Sequence, residues 1–152
     1  MKIIAVANHK GGVGKTTTAI NLSAALAHFG RHVLLVDIDP QGNSSRGLGV
    51  DVTLISKSIF EVLLGTVETT SAIKKTMMKN LELLPSKLML ASIDATFGSV
   101  VDPYMTLKKR LSTLDNKYDY VVIDCPPSLG VLTLNALNAA NTVLIPVQCI
   151  KS

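Results

Sequence analysis

Short apolar runs alternate along the chain with segments whose apolar residues return every three or four positions. Ile3-Ile4-Ala5-Val6-Ala7, Val33-Leu34-Leu35-Val36, Leu81-Glu82-Leu83-Leu84, Tyr120-Val121-Val122-Ile123 and residues 142–147 read as strands. Their near-continuous hydrophobicity suits strands buried on both faces. The spacing predicts a helix over 15–29, where Ile20, Leu22, Ala25, Leu26 and Phe29 recur and Gly30 supplies the stop. Further helices are predicted over 59–64, closed by Gly65, and over 88–97, 104–114 and 129–140. Residues 41–50 read as a Gly/Ser/Asn loop, and 66–102 is the least regular stretch. Strand, helix, strand in repetition implies an α/β fold, a parallel sheet with helices on both faces and right-handed crossovers. No helix follows the last predicted strand, so 1–152 reads as one domain that is incomplete at its C-terminal end.

Composition narrows the class. The 152 residues are 47% hydrophobic and only 17% charged, which excludes a disordered chain. No apolar run reaches the roughly 18 residues of a membrane span. Asn8, His9 and Lys10 arrive too soon for a secretory signal, so a cytoplasmic protein is expected. Cys125 and Cys149 make no disulfide framework and are both read as buried hydrophobic cysteines, and Met77, Met78, Met89 and Met105 as core fillers. His9, His28 and His32 share no metal-ligand spacing. The net charge of +4 permits an anionic partner without requiring one. Lys74, Lys75 and Lys79, with Lys108, Lys109 and Arg110, are read as two solvated helix faces, contact with DNA phosphates being the alternative.

Three constellations carry chemistry. His9-Lys10-Gly11-Gly12-Val13-Gly14-Lys15-Thr16-Thr17 joins a predicted strand to a predicted helix. Glycines there let the backbone of Gly11, Gly12, Val13 and Gly14 wrap phosphate oxygens, at the helix end that favours negative charge. Lys15 would reach the β- and γ-phosphates, and the Thr16 hydroxyl would ligate Mg²⁺, with Thr17 beside it. The pattern is K-G-G-x-G-K-T, with an additional lysine at Lys10. The second constellation, Asp37-Ile38-Asp39-Pro40-Gln41-Gly42, puts acids at the carboxyl end of a strand, where open α/β sheets bind ligands. One carboxylate there can orient an attacking water and another hold the water shell of a metal; a plain turn begun by Asp39 and Pro40 weighs equally. Third, Asp124 closes an apolar strand as a Walker B acid does, acting on Mg²⁺ through water. Together the three describe a nucleoside triphosphatase site.

KGGVGKTT, VLLVDIDPQGN and YDYVVIDCPPSLG, in that order, with LTLNAL following, resemble the ParA/Soj branch of the deviant-Walker-A ATPases. These proteins partition bacterial chromosomes and plasmids; MinD and the nitrogenase iron protein are relatives. The resemblance runs from Lys2 to Gln148. It implies a doubly wound P-loop fold with the Asp124 strand and the 142–147 strand on either side of the P-loop strand. It makes Lys10 the signature lysine, which crosses an ATP-dependent homodimer interface to the partner's nucleotide. It assigns Lys15 and Thr16 to phosphate and Mg²⁺, and Asp39 to the hydrolytic water and the water shell of the metal. It also implies non-specific DNA binding, nucleoid association and a centromere-binding partner protein that stimulates hydrolysis. The family domain continues past this chain, and that continuation would carry the adenine-facing residues and most DNA-contacting ones. A MinD-like membrane-associated positioning ATPase is the alternative and would need a C-terminal amphipathic helix; DPQGN favours partition. A non-hydrolysing nucleotide-binding module is a third reading, opposed by intact Lys10, Lys15, Thr16, Asp39 and Asp124. Neither cysteine stands in the glycine-flanked context of the iron protein's cluster ligands.

Overall fold

The computed structural model describes residues 1–149. The predicted apolar runs form β1 (Lys2–Val6), β2 (Val33–Asp37), β4 (Leu81–Leu84), β5 (Tyr120–Asp124) and β6 (Thr142–Leu144), and a two-residue β3 (Lys74–Lys75) joins them. The strand order is β3-β4-β2-β5-β1-β6, all neighbours parallel except β3 against β4. β5 enters between β1 and β2 after the chain has passed outward to β4, so the strand order reverses there. Open α/β sheets offer their ligand crevice at such a reversal, outside the carboxyl ends of the strands.

Among the described residues seven helices accompany the strands: α1 (Lys15–His28), α2 (Asn43–Gly47), α3 (Ile59–Leu64), α4 (Thr69–Ala72), α5 (Ile93–Thr96), α6 (Thr106–Ser112) and α7 (Val131–Ala139). Alternate strand residues point to opposite faces. Val6, Val33, Leu35, Leu81, Leu83 and Val122 meet Ala19 and Ala27 of α1 on one side. Ile3, Ala5, Leu34, Val36, Val121 and Ile123 meet α3, α6 and α7 on the other. The parallel sheet is thus wound on both faces, and every residue of β2 is buried.

Local chemistry explains several boundaries. Gly14 begins α1 at φ 90°, a left-handed conformation that carries no steric cost only for glycine. Ser58 and Glu61 form a reciprocal capping box at α3, and Gly65 ends that helix at φ 76°.

Other expectations are corrected. The sheet-facing residues of α1 are the small ones at four-residue spacing, Ala19, Ser23 and Ala27, while Ala25 and Phe29 are exposed. Residues 41–50 hold the short helix α2. The predicted 88–97 helix is broken into a 3₁₀ turn (Leu88–Ser92), α5 and a second 3₁₀ turn (Phe97–Ser99). Asp102 at φ 59°, followed by a 3₁₀ turn at Pro103–Met105, delays α6 to Thr106. β6 ends at Leu144, short of Val147, where Pro146 lacks a ladder donor. Lys74 and Lys75 lie on an edge strand, not on a helix. Cys125 is buried but Cys149 is exposed, and Met77 and Met89 are exposed rather than core. Arg110 is half-buried, and Lys109 reaches Asp102 at 3.6 Å.

Candidate functional site

Three adjoining strands end at one level. Val6, Asp124 and Asp37 are register partners across β1, β5 and β2. The glycine loop that follows β1 therefore opens directly above two strand-end carboxylates. Gly11, Gly12, Gly14, Lys15, Thr16 and Thr17 line a pocket of about 450 Å³ together with Asp39, Gln41, Asn43 and Pro127. Val13 is buried and is not among the residues that line this pocket. Lys15 is 7% exposed, and its ammonium donates to the Lys10 carbonyl at 2.8 Å, across the loop. Lys10 is exposed and does not line the pocket; its N–H donates to Asn8 Oδ1 at 3.0 Å. The structure thus gathers Gly11, Gly12, Gly14, Lys15, Thr16, Thr17 and Asp39 around one pocket, with Asp124 joined to it through Thr16, and leaves Val13 and the Lys10 side chain outside its lining.

Asp124 lies at the floor, wholly buried. Its Oδ2 accepts from Thr16 Oγ1 at 2.8 Å and also from Ser44 Oγ. Its Oδ1 is buried and has no hydrogen-bond partner among the described residues. A buried carboxylate oxygen left open beside a hydroxyl, under a loop shaped for phosphate, fits a hard cation. Among the described residues no group of three or more His, Cys, Asp or Glu side chains could hold a metal alone. That also suits Mg²⁺, which is held by one or two carboxylates while substrate phosphates and water complete its octahedron.

Asp39 is tied down along its backbone and side chain. Its N–H donates to Asp37 Oδ1 at 3.1 Å, and its carbonyl accepts from Gly42 N at 2.9 Å and Ser86 Oγ at 2.6 Å. Its Oδ1 accepts from Gln41 N at 2.9 Å. The turn at Asp39-Pro40 is thus present, and it places Asp39 among the residues that line the pocket.

Sequence reasoning missed Ser44, Ser45 and Ser86. Ser45 donates to Asp37 Oδ2 through N–H (2.9 Å) and hydroxyl (2.7 Å), and its hydroxyl accepts from Ser86 N at 3.0 Å. The signal available in the sequence was the serine pair that follows Gly42-Asn43. Gly42 adopts φ 66°, which lets the chain turn into α2 and drive both serines inward.

Electrostatics follow from burial. Desolvation pushes the Asp37 carboxyl up to about 7, with Ser45 opposing and the Asp124 charge reinforcing. Asp124 is raised too, by burial and then by Asp39, against hydrogen bonds from Ser44 and Thr16 and the charge of Lys15. Burial pushes the Cys125 thiol up to about 12, leaving it a protonated, inert group. Between pH 8 and 6 the folded chain takes up a proton at Asp37 that the unfolded chain, titrating in the ordinary carboxylate range, does not. Stability of the nucleotide-free chain should therefore rise as the pH falls through this window, by about 1.4 kcal/mol from Asp37. The melting temperature should increase by roughly 3–6 °C. A flat or falling melting temperature, followed by circular dichroism, would mean that Asp37 stays ionised.

A larger cavity of about 560 Å³ lies at the amino end of β4 and β5, lined by residues that include His32, Lys75, Lys79, Glu82 and Tyr118. It has neither a glycine loop nor converging acids, so the chemistry points to the smaller pocket. No helix among the described residues is long and apolar enough to cross a membrane.

Comparison with known proteins agrees with this geometry. Residues 1–151 match the protein family described as AAA domain. The chain is 47% identical over 148 residues to the sporulation initiation inhibitor protein Soj of Bacillus subtilis, covering 97% of this chain and 58% of that protein. It is 46% identical over 148 residues to the chromosome-partitioning ATPase Soj of Treponema pallidum, covering 97% and 57%. Among solved structures, cobyrinic acid a,c-diamide synthase from Mycobacterium smegmatis superposes with a TM-score of 0.96 at 48% identity, over 99% of this chain and 61% of that one. That protein was solved with ADP and magnesium, and also with an ATP analogue and magnesium. The chain spans less than two thirds of the length of each.

Proposed function

Because this chain belongs to the AAA-domain family and is a homologue of the Soj/ParA partitioning proteins, we propose that it binds Mg-ATP and hydrolyses it as the nucleotide-handling part of a partitioning ATPase. In this reading the ATP state is a homodimer that binds DNA without sequence preference. A centromere-binding partner protein stimulates hydrolysis, which resets the cycle in chromosome or plasmid segregation.

The observation that carries the reading is the convergence of Thr16 on Asp124 at 2.8 Å beneath the glycine loop, with Asp39 lining the same pocket. Backbone N–H groups of residues 11–16 cradle the phosphates at the start of α1, where the helix dipole favours negative charge. Lys15 turns its ammonium from the Lys10 carbonyl toward the β- and γ-phosphates and neutralises them. Thr16 and Asp124 would hold the Mg²⁺, with Asp39 available to it from the pocket wall; when bound, the ion would offset phosphate charge. Asp39, fixed through its backbone, aligns the attacking water. Lys10 stands outside its own pocket, which suits a side chain that serves the nucleotide of a second copy.

The test compares the parent chain with Lys10→Ala for Mg-ATP affinity, phosphate release and sedimentation with and without nucleotide. The parent should release phosphate and sediment as a dimer only with ATP. The variant should bind ATP within about threefold of the parent, a loss under ~1 kcal/mol, yet remain monomeric. If Lys10→Ala lost affinity as severely as a Lys15 substitution, Lys10 would belong to its own pocket and the deviant-loop assignment would fall.

A further inference from the structure

Ser44 and Ser45 are adjacent residues of one helical turn, and both are fully buried. Each enters a different carboxylate. Ser44 donates to Asp124 at the end of β5, and Ser45 donates twice to Asp37 at the end of β2. The two acids are register partners on neighbouring strands, which lie about 4.8 Å apart. Successive residues of a helix point about 100° apart, so a single turn can reach both. Between these attachments and Asp37 lies the short loop that carries Asp39. Ser86 closes the arrangement from the far side of β2, with its N–H on the Ser45 hydroxyl and its own hydroxyl on the Asp39 carbonyl.

Resting on the ATPase reading above, we propose that Ser44 and Ser45 are positioning residues for hydrolysis. Together they fasten the Asp39 loop to the two strand ends, and Ser44 links it through Asp124 to Thr16 of the phosphate loop. Neither serine lines the nucleotide pocket, so neither is needed to capture ATP. Both decide whether the Asp39 carboxylate stands where a water can be aligned. The hydroxyl groups are buried beside carboxylates, where a lost donor is not replaced by bulk water. Because a displacement of about 1 Å can cost on the order of 100-fold in an oriented reaction, their removal should appear in turnover first.

Ser44→Ala and Ser45→Ala test this, with Ser45→Thr as the variant that keeps a hydroxyl. Steady-state kinetics should give a kcat lower by about 10- to 100-fold with KM and Mg-ATP affinity within about threefold. Ser45→Thr should recover most of the rate. Independently of activity, hydrogen exchange at the Gln41 and Gly42 amides, which donate to Asp39, should quicken in both alanine variants while exchange in β1 and β5 stays unchanged. Unchanged exchange at those two amides overturns the proposal, as does a parallel loss of affinity and kcat. If Ser45→Ala does not fold, Ser44→Ala decides by the same two measurements. A parent chain that binds Mg-ATP without turnover would refute the hydrolysis reading alone, and the exchange comparison would still judge the clamp.

Discussion

Lys15→Ala is expected to abolish measurable Mg-ATP binding while leaving the fold in place. Lys15 is 7% exposed, and the only hydrogen bond its ammonium makes among the described residues is to a carbonyl of the loop itself, Lys10 O at 2.8 Å. Losing one such charge-assisted bond costs the nucleotide-free chain about 1.5–3 kcal/mol, less than a folded domain's usual stability of about 5–15 kcal/mol. The loaded site is different. Phosphate charge would stand over Asp39 and Asp124, and without Lys15 no ammonium inside the pocket would offset it. Removing one partner of a buried ion pair costs about 3–5 kcal/mol, or roughly 150- to 4000-fold in affinity. Calorimetric titration of parent and variant, each checked by circular dichroism, measures both halves of the expectation. An affinity retained within about threefold would remove Lys15 from the phosphate contacts and leave the glycine loop as an ordinary turn.

Asp39→Ala should produce the opposite phenotype, with ATP bound tightly and turnover lost. The carboxylate lines the pocket but sits beyond the strand end, held by Gln41 N–H on its Oδ1 and by three hydrogen bonds to its backbone. A group fixed in this way contributes orientation, which is worth far more in the transition state than in ground-state phosphate binding. Alanine keeps the backbone bonds and removes the aiming group. Asp39→Asn keeps an acceptor for Gln41 and so separates loop geometry from charge: it should hold the loop yet still fail to turn over. Phosphate release within about tenfold of the parent in either variant, a difference of only ~1.4 kcal/mol, would move the hydrolytic role elsewhere. Loss of ATP binding in the alanine variant would mean that Asp39 supports the phosphate loop instead.

Features written within a few residues were legible before any coordinates. The α3 helix is an example: the signals for its ends are local, since Ser58 and Glu61 cap its start and Gly65 turns its end. The glycine loop is another, because left-handed Gly12 and Gly14 advertise a backbone that other residues rarely adopt. Periodicity misled where packing chose the face. In α1 the apolar spacing held for Ile20, Leu22 and Leu26, which pack against the core, but the fully buried positions are the small Ala19, Ser23 and Ala27, and Ala25 and Phe29 are left in solvent. In the 88–97 stretch, apolar spacing suited one helix, but the chain takes three short turns to bury Leu90, Ile93 and Phe97.

The sequence by itself determined the kinds of strands, the loop able to wrap phosphate, and the residue types able to serve an ATPase, since each depends on neighbouring residues and intrinsic backbone preference. Only the tertiary structure decided which of these meet. Parallel pairing puts β5 between β1 and β2 and so sets Asp124 against Thr16, 108 residues away, and against Ser44, 80 residues away. It also exposes Lys10 while burying Lys15, and turns the unremarked serines after Gly42 into partners of two buried acids. Strand order and register arise from the joint burial of both sheet faces, and no local run of side chains encodes that sum.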